Sequence, residues 1–252
     1  MIIGGLTLSR ARGAKAQKRI QSVVPVAQNT ISFNPASRSR PIDLIPRTRA
    51  QEQLTLALLD NSIHVAVAVG PAGTGKTYLA MLAAIRALRA GACQKIVLTR
   101  PAVGVEEESH GFLPGDLASK MEPWTRPLFD VLREYYHARD IVAMLEDQKI
   151  EIAPLAYMRG RTFKRSYIIA DEMQNSTPNQ MKMLLTRIGE GSKIVVTGDM
   201  EQTDRARREN GLIDLVERLK TQRVNGLALC TMTSRDIQRH PFISSVLEFY
   251  DG

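Results

Sequence analysis

The stretch Val65-Ala66-Val67-Ala68-Val69-Gly70-Pro71-Ala72-Gly73-Thr74-Gly75-Lys76-Thr77 decides the fold of this chain. Its second half matches the phosphate-binding pattern G-x-x-x-x-G-K-[ST] at every fixed position. The β-branched run over residues 64–69 predicts a buried strand, and the Ala- and Leu-rich residues 76–90 predict a helix. Backbone N–H groups of such a loop and the positive end of the helix dipole converge on one anion. The sequence therefore predicts nucleotide binding.

The phosphate loop assigns roles to individual residues. Lys76 is expected to reach the β- and γ-phosphates, and the Thr77 hydroxyl is expected to bind Mg²⁺. Nucleotide contacts are predicted for the loop and the first helical residues, namely Gly70, Pro71, Ala72, Gly73, Thr74, Gly75, Lys76, Thr77 and Tyr78. The alternative is a chance match in a loop of small residues, and the flanking strand and helix argue against it.

A second apolar strand ends in two acids, in the run Tyr167-Ile168-Ile169-Ala170-Asp171-Glu172. Ligands of open α/β sheets bind at the carboxyl ends of the strands, where the phosphate loop also opens. We expect Asp171 to hold Mg²⁺ through water and Glu172 to polarise the attacking water as general base. The alternative is a plain polar loop after a strand, which the phosphate loop upstream makes less attractive.

A third strand ends in Thr197-Gly198-Asp199, followed closely by Gln202. A polar Thr or Gln at this strand end could contact the γ-phosphate and report its presence. Taken alone, Gly198-Asp199 is equally well a simple turn.

The remaining pattern alternates strands with helices. Further strands are predicted at residues 95–99, 149–152, 166–170, 193–197 and 226–231, and helices at residues 48–59, 124–139, 178–188 and 212–219. This alternation predicts an α/β fold with a mostly parallel sheet that helices cover on both faces.

The net charge of +8 is unevenly distributed. Residues 1–40 carry seven Lys and Arg residues and no Asp or Glu, so nearly all the net charge lies there. We interpret residues 1–40 as a basic, mostly disordered arm and residues 41–252 as the folded domain. Such an arm suits nonspecific contact with nucleic-acid phosphates, and a solubilising tail is an equal alternative.

Cysteine usage and hydropathy suggest a cytoplasmic protein. Cys93 and Cys230 are far apart, and with four scattered histidines they form neither a disulfide framework nor a zinc-site pattern. No apolar run approaches the roughly 20 residues that a membrane-spanning helix needs, and the sequence does not begin with a signal-peptide pattern. No membrane association is expected.

Several further motifs carry a resemblance to a known family. They are Thr99-Arg100-Pro101-Ala102, Gly111-Phe112-Leu113-Pro114-Gly115-Asp116-Leu117, Ala153-Pro154-Leu155-Ala156-Tyr157-Met158-Arg159-Gly160-Arg161-Thr162, Ile169-Ala170-Asp171-Glu172-Met173-Gln174-Asn175 and Thr197-Gly198-Asp199. Together with the phosphate loop they resemble PhoH-like ATPases over about residues 46–250. The resemblance implies a RecA-like P-loop NTPase core related to superfamily 1 helicases, which hydrolyses ATP (EC 3.6 type) and acts on RNA, with helicase activity as an extension.

The resemblance also implies roles for three residues. Gln51 is similar to the glutamine that such helicases carry near the adenine, and Gln202 matches the residue that senses the γ-phosphate. Arg239, in Asp236-Ile237-Gln238-Arg239-His240-Pro241, resembles the family's late arginine motif and is the best arginine-finger candidate. Gln238 departs from the family pattern, in which an aliphatic residue is commoner.

The chain has material for one RecA-like domain, whereas superfamily 1 motors close ATP between two. An arginine finger must then come from a neighbouring subunit, which favours a homo-oligomeric ring with head-to-tail interfaces. The family resemblance points to a hexamer.

Three basic clusters are candidates for contact with single-stranded RNA, or with DNA. Arg100 ends a strand, Arg159 and Arg161 precede the Asp171 strand together with Lys164 and Arg165, and Arg205, Arg207 and Arg208 follow Thr197. As alternatives, Arg159 or Arg161 serves the ATP of an adjacent subunit, and the last cluster is a solvated face. The rival function is a nucleotide-gated ATPase that remodels or assembles proteins and does not act on nucleic acid.

Overall fold

The computed structural model describes residues 41–101, 114–203, 206–238 and 249; for residues 114–124 and 208 it describes the backbone alone. The basic arm over residues 1–40, the arginine-finger candidate Arg239 and the nucleic-acid candidate Arg205 lie outside the described residues. Over the described ranges, no helix combines the length and hydropathy that crossing a bilayer requires.

In the part of the chain that the structure describes, six parallel strands form one sheet in the order β3-β2-β4-β5-β1-β6. The strands are β1 Val65–Val69, β2 Lys95–Thr99, β3 Ile150–Ile152, β4 Ser166–Ala170, β5 Lys193–Gly198 and β6 Leu227–Thr231. Every residue of β1 and β4 is buried, as expected for central strands of a parallel sheet. The strand that leads into the phosphate loop and the strand that ends in the two acids are separated only by β5.

Within the described ranges, six α-helices connect and cover these strands. They are α1 Arg49–Leu59, α2 Lys76–Arg89, α3 Pro114–Tyr135, α4 Ala138–Glu146, α5 Pro178–Leu185 and α6 Gly211–Thr221. The valines of β1 join a core with residues of α5 and α6, such as Met181 and Leu212. Helix α2 contributes nothing to that core but contacts β2, β4 and β5. Since strand side chains alternate between faces, α2 covers the opposite face.

Local sequence accounts for where the site-forming helices begin. The Thr48 hydroxyl accepts a hydrogen bond from the Gln51 N–H and caps α1. At the start of α5, Thr177 and Gln180 cap each other's backbone N–H groups, and Pro178 occupies the first helical position. The Asn210 side chain accepts from the N–H groups of two residues in the first turn of α6.

The predicted α/β P-loop architecture with a parallel sheet is confirmed, and the strand predictions hold to within a residue. The helix predicted at residues 124–139 is confirmed up to Tyr135 and is wrong beyond that residue. Helix α3 begins earlier, and the chain breaks at His137, whose extended backbone (φ −76°, ψ 154°) precedes a separate helix α4. The helix predicted at residues 178–188 ends at Leu185, because Arg187 and Ile188 instead pair with Phe163.

Candidate active site

The phosphate loop joins β1 to α2 through glycines that a side chain could not replace. Gly70 has φ +146°, and a Cβ atom there would lie 2.4 Å from the carbonyl oxygen of Met232, which follows β6. Gly75 has φ +83°, and its Cβ would lie 3.2 Å from the Gln51 amide nitrogen. Only glycine combines such backbone angles with this close approach. The loop therefore curls tightly between α1 and the end of β6.

The Lys76 ammonium lies inside this loop. Its Nζ donates to the carbonyl oxygens of Gly70 at 2.6 Å and Pro71 at 2.7 Å, and to the Thr74 hydroxyl at 3.2 Å. Burial lowers the pKa of Lys76, while the carboxylates of Asp199, Asp171 and Glu172 act in the opposite direction. A nearby phosphate would give the buried cation the anionic partner that these neutral oxygens do not provide.

The two residues predicted to bind Mg²⁺ are in direct contact. The Thr77 hydroxyl, on α2, donates to Asp171 Oδ1, at the end of β4, at 2.8 Å. The Thr197 hydroxyl, at the end of β5, donates to the same carboxylate oxygen. Thr197 is one of the residues predicted to sense the γ-phosphate, and its hydroxyl also orients the Asp171 carboxylate.

This donor set fits Mg²⁺. Hydroxyl and carboxylate oxygens are the hard ligands that Mg²⁺ uses, with water and substrate phosphates completing its octahedron. In the described part of the chain, no cluster of three or more His, Cys, Asp or Glu side chains could hold a metal ion by itself. A Mg²⁺ ion at Thr77 and Asp171 would therefore depend on phosphate oxygens for part of its coordination.

Glu172 follows Asp171 in a left-handed backbone conformation, with φ +54° and ψ +38°. A residue other than glycine in this region costs of the order of 1–3 kcal/mol, and such residues cluster at functional sites. The half-buried Glu172 carboxylate accepts a hydrogen bond at Oε2 from the Gln174 side-chain amide. The turn thus directs Glu172 away from the sheet and into the cleft beside the phosphate loop.

One cleft of about 260 Å³ gathers four of the five predicted catalytic side chains, Lys76, Asp171, Glu172 and Gln202; the fifth, Arg239, lies outside the described residues. Its lining includes Ala72, Gly73, Gly75, Lys76, Thr77, Tyr78, Asp171, Glu172, Gly198, Asp199 and Gln202. Gln202 is exposed and so is free to reach a group bound in the cleft. The sequence prediction brought these residues to one edge of the sheet, and the structure places them around one cavity.

A larger cavity of about 560 Å³ adjoins this cleft and shares Gly73, Gly75 and Tyr78 with it. Gln51, Leu79, Leu82 and Tyr135 line its wall. Its volume and mixed apolar and polar lining are typical of a small-molecule site. The two cavities together have the layout of a nucleotide site, with the phosphate cleft beside a base pocket.

Gln51 connects this base pocket to the phosphate loop. Its side-chain nitrogen donates to the Thr74 carbonyl at 3.0 Å, and its side-chain oxygen accepts from the Arg47 N–H at 2.8 Å. Each end of the amide keeps one further hydrogen-bonding position. Gln51 therefore holds the loop against α1 and can still contact a base in the cavity that it lines.

The arginines predicted to contact nucleic acid differ in their surroundings. Arg161 forms an ion pair with Glu151 at 2.5 Å and stacks 4.5 Å from the centre of the Phe163 ring. Burial acts to raise the pKa of Glu151, but hydrogen bonds from Arg161 and Lys95 outweigh it and hold the pKa below its usual value. Arg161 thus has a structural role in addition to any ligand contact.

Arg100 and Arg159 are placed differently from Arg161. Arg159 is exposed and Arg100 is half-buried at the end of β2, where its carbonyl accepts from the Leu155 N–H. In the third cluster, Arg207 pairs with Glu217 at 3.1 Å on the surface. Arg207 therefore already has an anionic partner on the surface, whereas Arg159 is exposed to solvent.

Sequence reasoning missed the role of Gln174. This residue is buried between Glu172 and the turn after β5, and it hydrogen-bonds to both. The signal was its position two residues after the Asp171-Glu172 pair, in a run that otherwise reads as a polar turn. Its second partner is 25 positions away, which a sequence pattern does not reveal.

Comparison with known proteins assigns most of the chain to one family. Residues 43–251 match the family model described as PhoH-like protein. A PhoH-like protein of Bacillus subtilis (strain 168) is 46% identical over 206 residues, which cover 81% of this chain and 63% of that protein. The protein PhoH of Escherichia coli (strain K12) is 37% identical over 223 residues, covering 87% of this chain and 62% of that protein. The chain spans less than two thirds of the length of either relative.

Solved structures with a similar chain path include two Pif1 proteins. The Pif1 helicase from Candida albicans is matched with a TM-score of 0.38 and 16% identity, covering 81% of this chain and 44% of that chain. Bacteroides Pif1 bound to ssDNA is matched with a TM-score of 0.31 and 14% identity, covering 82% of this chain and 46% of that chain. At these scores the two likenesses carry no argument about function.

Proposed function

The chain belongs to the PhoH-like protein family, and on that premise we propose that it is a Mg²⁺-dependent P-loop ATPase whose hydrolysis is coupled to single-stranded RNA binding or to RNA unwinding. The observation that carries the ATPase proposal is the contact between the Thr77 hydroxyl and the Asp171 carboxylate at 2.8 Å, at the wall of the cleft that Lys76 and Glu172 also line. A protein that only held nucleotide would not need the Glu172 carboxylate beside that pair.

Each side chain has one task in this proposal. Lys76 and the loop N–H groups bind the β- and γ-phosphates, while Thr77 and Asp171 hold the hydrated Mg²⁺. A Mg²⁺ ion held by Thr77 and Asp171 would supply positive charge to offset the charge that develops on the phosphate oxygens. Glu172 accepts a proton from the attacking water, and Gln202 contacts the γ-phosphate. The adenine base of ATP occupies the cavity of about 560 Å³ beside Gln51.

Arg239 is proposed to complete the site of a neighbouring subunit as an arginine finger. In this proposal the described domain forms one side of the nucleotide site, and a second subunit forms the opposite side in a head-to-tail ring. The proposed ring is a hexamer, on the family resemblance.

The RNA proposal is supported by charge at the carboxyl edge of the sheet. Arg100 follows β2, which pairs with the strand that leads into Asp171, and Arg159 is exposed in the connection between β3 and β4. The net charge of +8 favours binding to a polyanion in general. An RNA strand along this edge would lie close to the phosphate cleft, which gives a short path for coupling binding to hydrolysis.

The experiment is a steady-state ATPase assay with and without a single-stranded RNA oligomer, with single-stranded DNA of the same sequence in a third arm. Lys76→Ala provides the blank, because it removes the phosphate-binding cation. The proposal expects hydrolysis above the blank and a several-fold increase with RNA. A rate that neither nucleic acid changes would overturn the coupling and favour an ATPase that acts on other proteins. If only DNA stimulated hydrolysis, DNA would take the place of RNA as the proposed ligand. If the wild type hydrolysed ATP no faster than Lys76→Ala, the enzyme assignment would be overturned.

A further inference from the structure

We propose that Gln174 is a positioning residue, which holds the Glu172 carboxylate in place and ties it to the turn that carries Gln202. This inference rests on the proposed ATPase function, in which Glu172 is the general base and Gln202 contacts the γ-phosphate. Gln174 itself is only 1% exposed and lies behind both residues. It is therefore placed to act through them.

The side-chain amide of Gln174 uses both of its ends. Its oxygen accepts from the backbone N–H of Asp199 at 3.1 Å, and its nitrogen donates to Glu172 Oε2 at 2.5 Å. These partners fix the orientation of the amide, because the Asp199 N–H can only donate and the ionised Glu172 carboxylate can only accept. One carboxylate oxygen of Glu172 is thereby held, and the other is left for a water molecule.

The backbone of Gln174 binds the far end of the same turn. Its carbonyl oxygen accepts from the Thr203 hydroxyl at 3.2 Å, and that hydroxyl accepts from the Asn210 side-chain amide at 2.9 Å. Asn210 in turn caps α6. The segment 199–203 is thus attached to one residue at its beginning and at its end, and Gln202 lies between the two attachments.

Gly198 makes this close approach possible. A Cβ atom at residue 198 would lie 2.7 Å from the Gln174 side-chain oxygen and 3.2 Å from its backbone nitrogen. The end of β5 therefore packs directly on Gln174 with no room for a side chain. A shift of Gln202 toward a bound phosphate would therefore displace Gln174, and the Gln174 amide would in turn move the Glu172 carboxylate.

The test is the substitution Gln174→Met, which keeps the size of the side chain and removes both hydrogen bonds. We expect kcat to fall at least tenfold, since a misplaced catalytic group commonly costs one to two orders of magnitude, while the Kd for a fluorescent ATP analogue changes less than twofold. Gln180→Met is the matched control: Gln180 caps α5 and does not line the cleft, so this variant loses thermal stability and keeps kcat.

A double mutant separates positioning from a general structural effect. If Gln174 acts through Glu172, then Gln174→Met combined with Glu172→Gln hydrolyses ATP no more slowly than Glu172→Gln alone. If the reductions in kcat of the two single mutants multiplied in the double mutant, the inference would be overturned. A Gln174→Met variant with kcat within twofold of the wild type would also overturn it. Should Gln174→Met not fold, Gln174→Asn replaces it, because the side chain stays a neutral amide but is one methylene too short to keep both hydrogen bonds. A wild type no faster than Lys76→Ala would instead refute the ATPase proposal itself.

Discussion

Gly70→Ala is the substitution whose cost is easiest to work out from the structure. At φ +146° the alanine residue would have a backbone conformation that is almost confined to glycine, and this costs about 1–3 kcal/mol. Its Cβ would also lie 2.4 Å from the Met232 carbonyl oxygen, and overpacking of this kind costs about 1–3 kcal/mol more. We therefore expect a loss of about 2–6 kcal/mol in the free energy of unfolding, out of a total of about 5–15 kcal/mol for a typical domain.

Gly91→Ala is the matched control, because it separates backbone strain from the clash. Gly91 follows α2 with φ +70°, but a Cβ there would meet nothing within 4 Å. Its loss is therefore only the backbone cost of about 1–2 kcal/mol. Urea denaturation followed by circular dichroism measures both values. If Gly70→Ala lost no more stability than Gly91→Ala, the close packing of the phosphate loop against the end of β6 would be wrong.

Three further predictions concern single groups. Thr197→Val leaves the Asp171 carboxylate with one donor fewer, so the Mg²⁺ concentration for half-maximal ATPase should rise about tenfold or more; an unchanged requirement would contradict the role of Thr197. Burial lowers the pKa of Lys193 to about 8 from its usual 10.5. The unfolded chain therefore binds more protons between these values, and the stability of the wild type relative to Lys193→Met should increase from pH 8 to pH 10 in denaturant titrations; a decrease would contradict this environment. Burial also raises the pKa of the Cys93 thiol, to about 11, and that of the Cys230 thiol. Neither should react rapidly with Ellman's reagent until urea unfolds the protein, and fast labelling of the native protein would show that a thiol is accessible.

The sequence predicted those parts of the site that depend on short, contiguous patterns. The phosphate loop, with Lys76 and Thr77, is one run of residues. The Asp171-Glu172 pair follows a strand whose apolar composition predicts that it is buried. Parallel strands bring their carboxyl ends to one edge, so the contact between Thr77 and Asp171 follows from two local patterns and one topological rule.

The sequence could not predict features that depend on partners far away in the chain. Gln174 has a role only because the Asp199 N–H and Gly198 meet it across the sheet. Arg161 was predicted as a nucleic-acid contact, and nothing in its own segment indicates the ion pair with Glu151. The boundary between α3 and α4 was missed for a different reason. The apolar pattern continues past His137, but the backbone at His137 is extended and interrupts the helix.

The most direct test of the account is to compare Glu172→Gln with the wild type in two measurements on the same samples, Mg²⁺-dependent ATP hydrolysis and binding of a fluorescent ATP analogue. The account predicts that the variant binds the analogue with a Kd close to that of the wild type and hydrolyses ATP roughly 10²-fold more slowly, because only the general base is lost. Hydrolysis by Glu172→Gln at the wild-type rate would contradict the assignment of Glu172, and with it the mechanism proposed for this cleft.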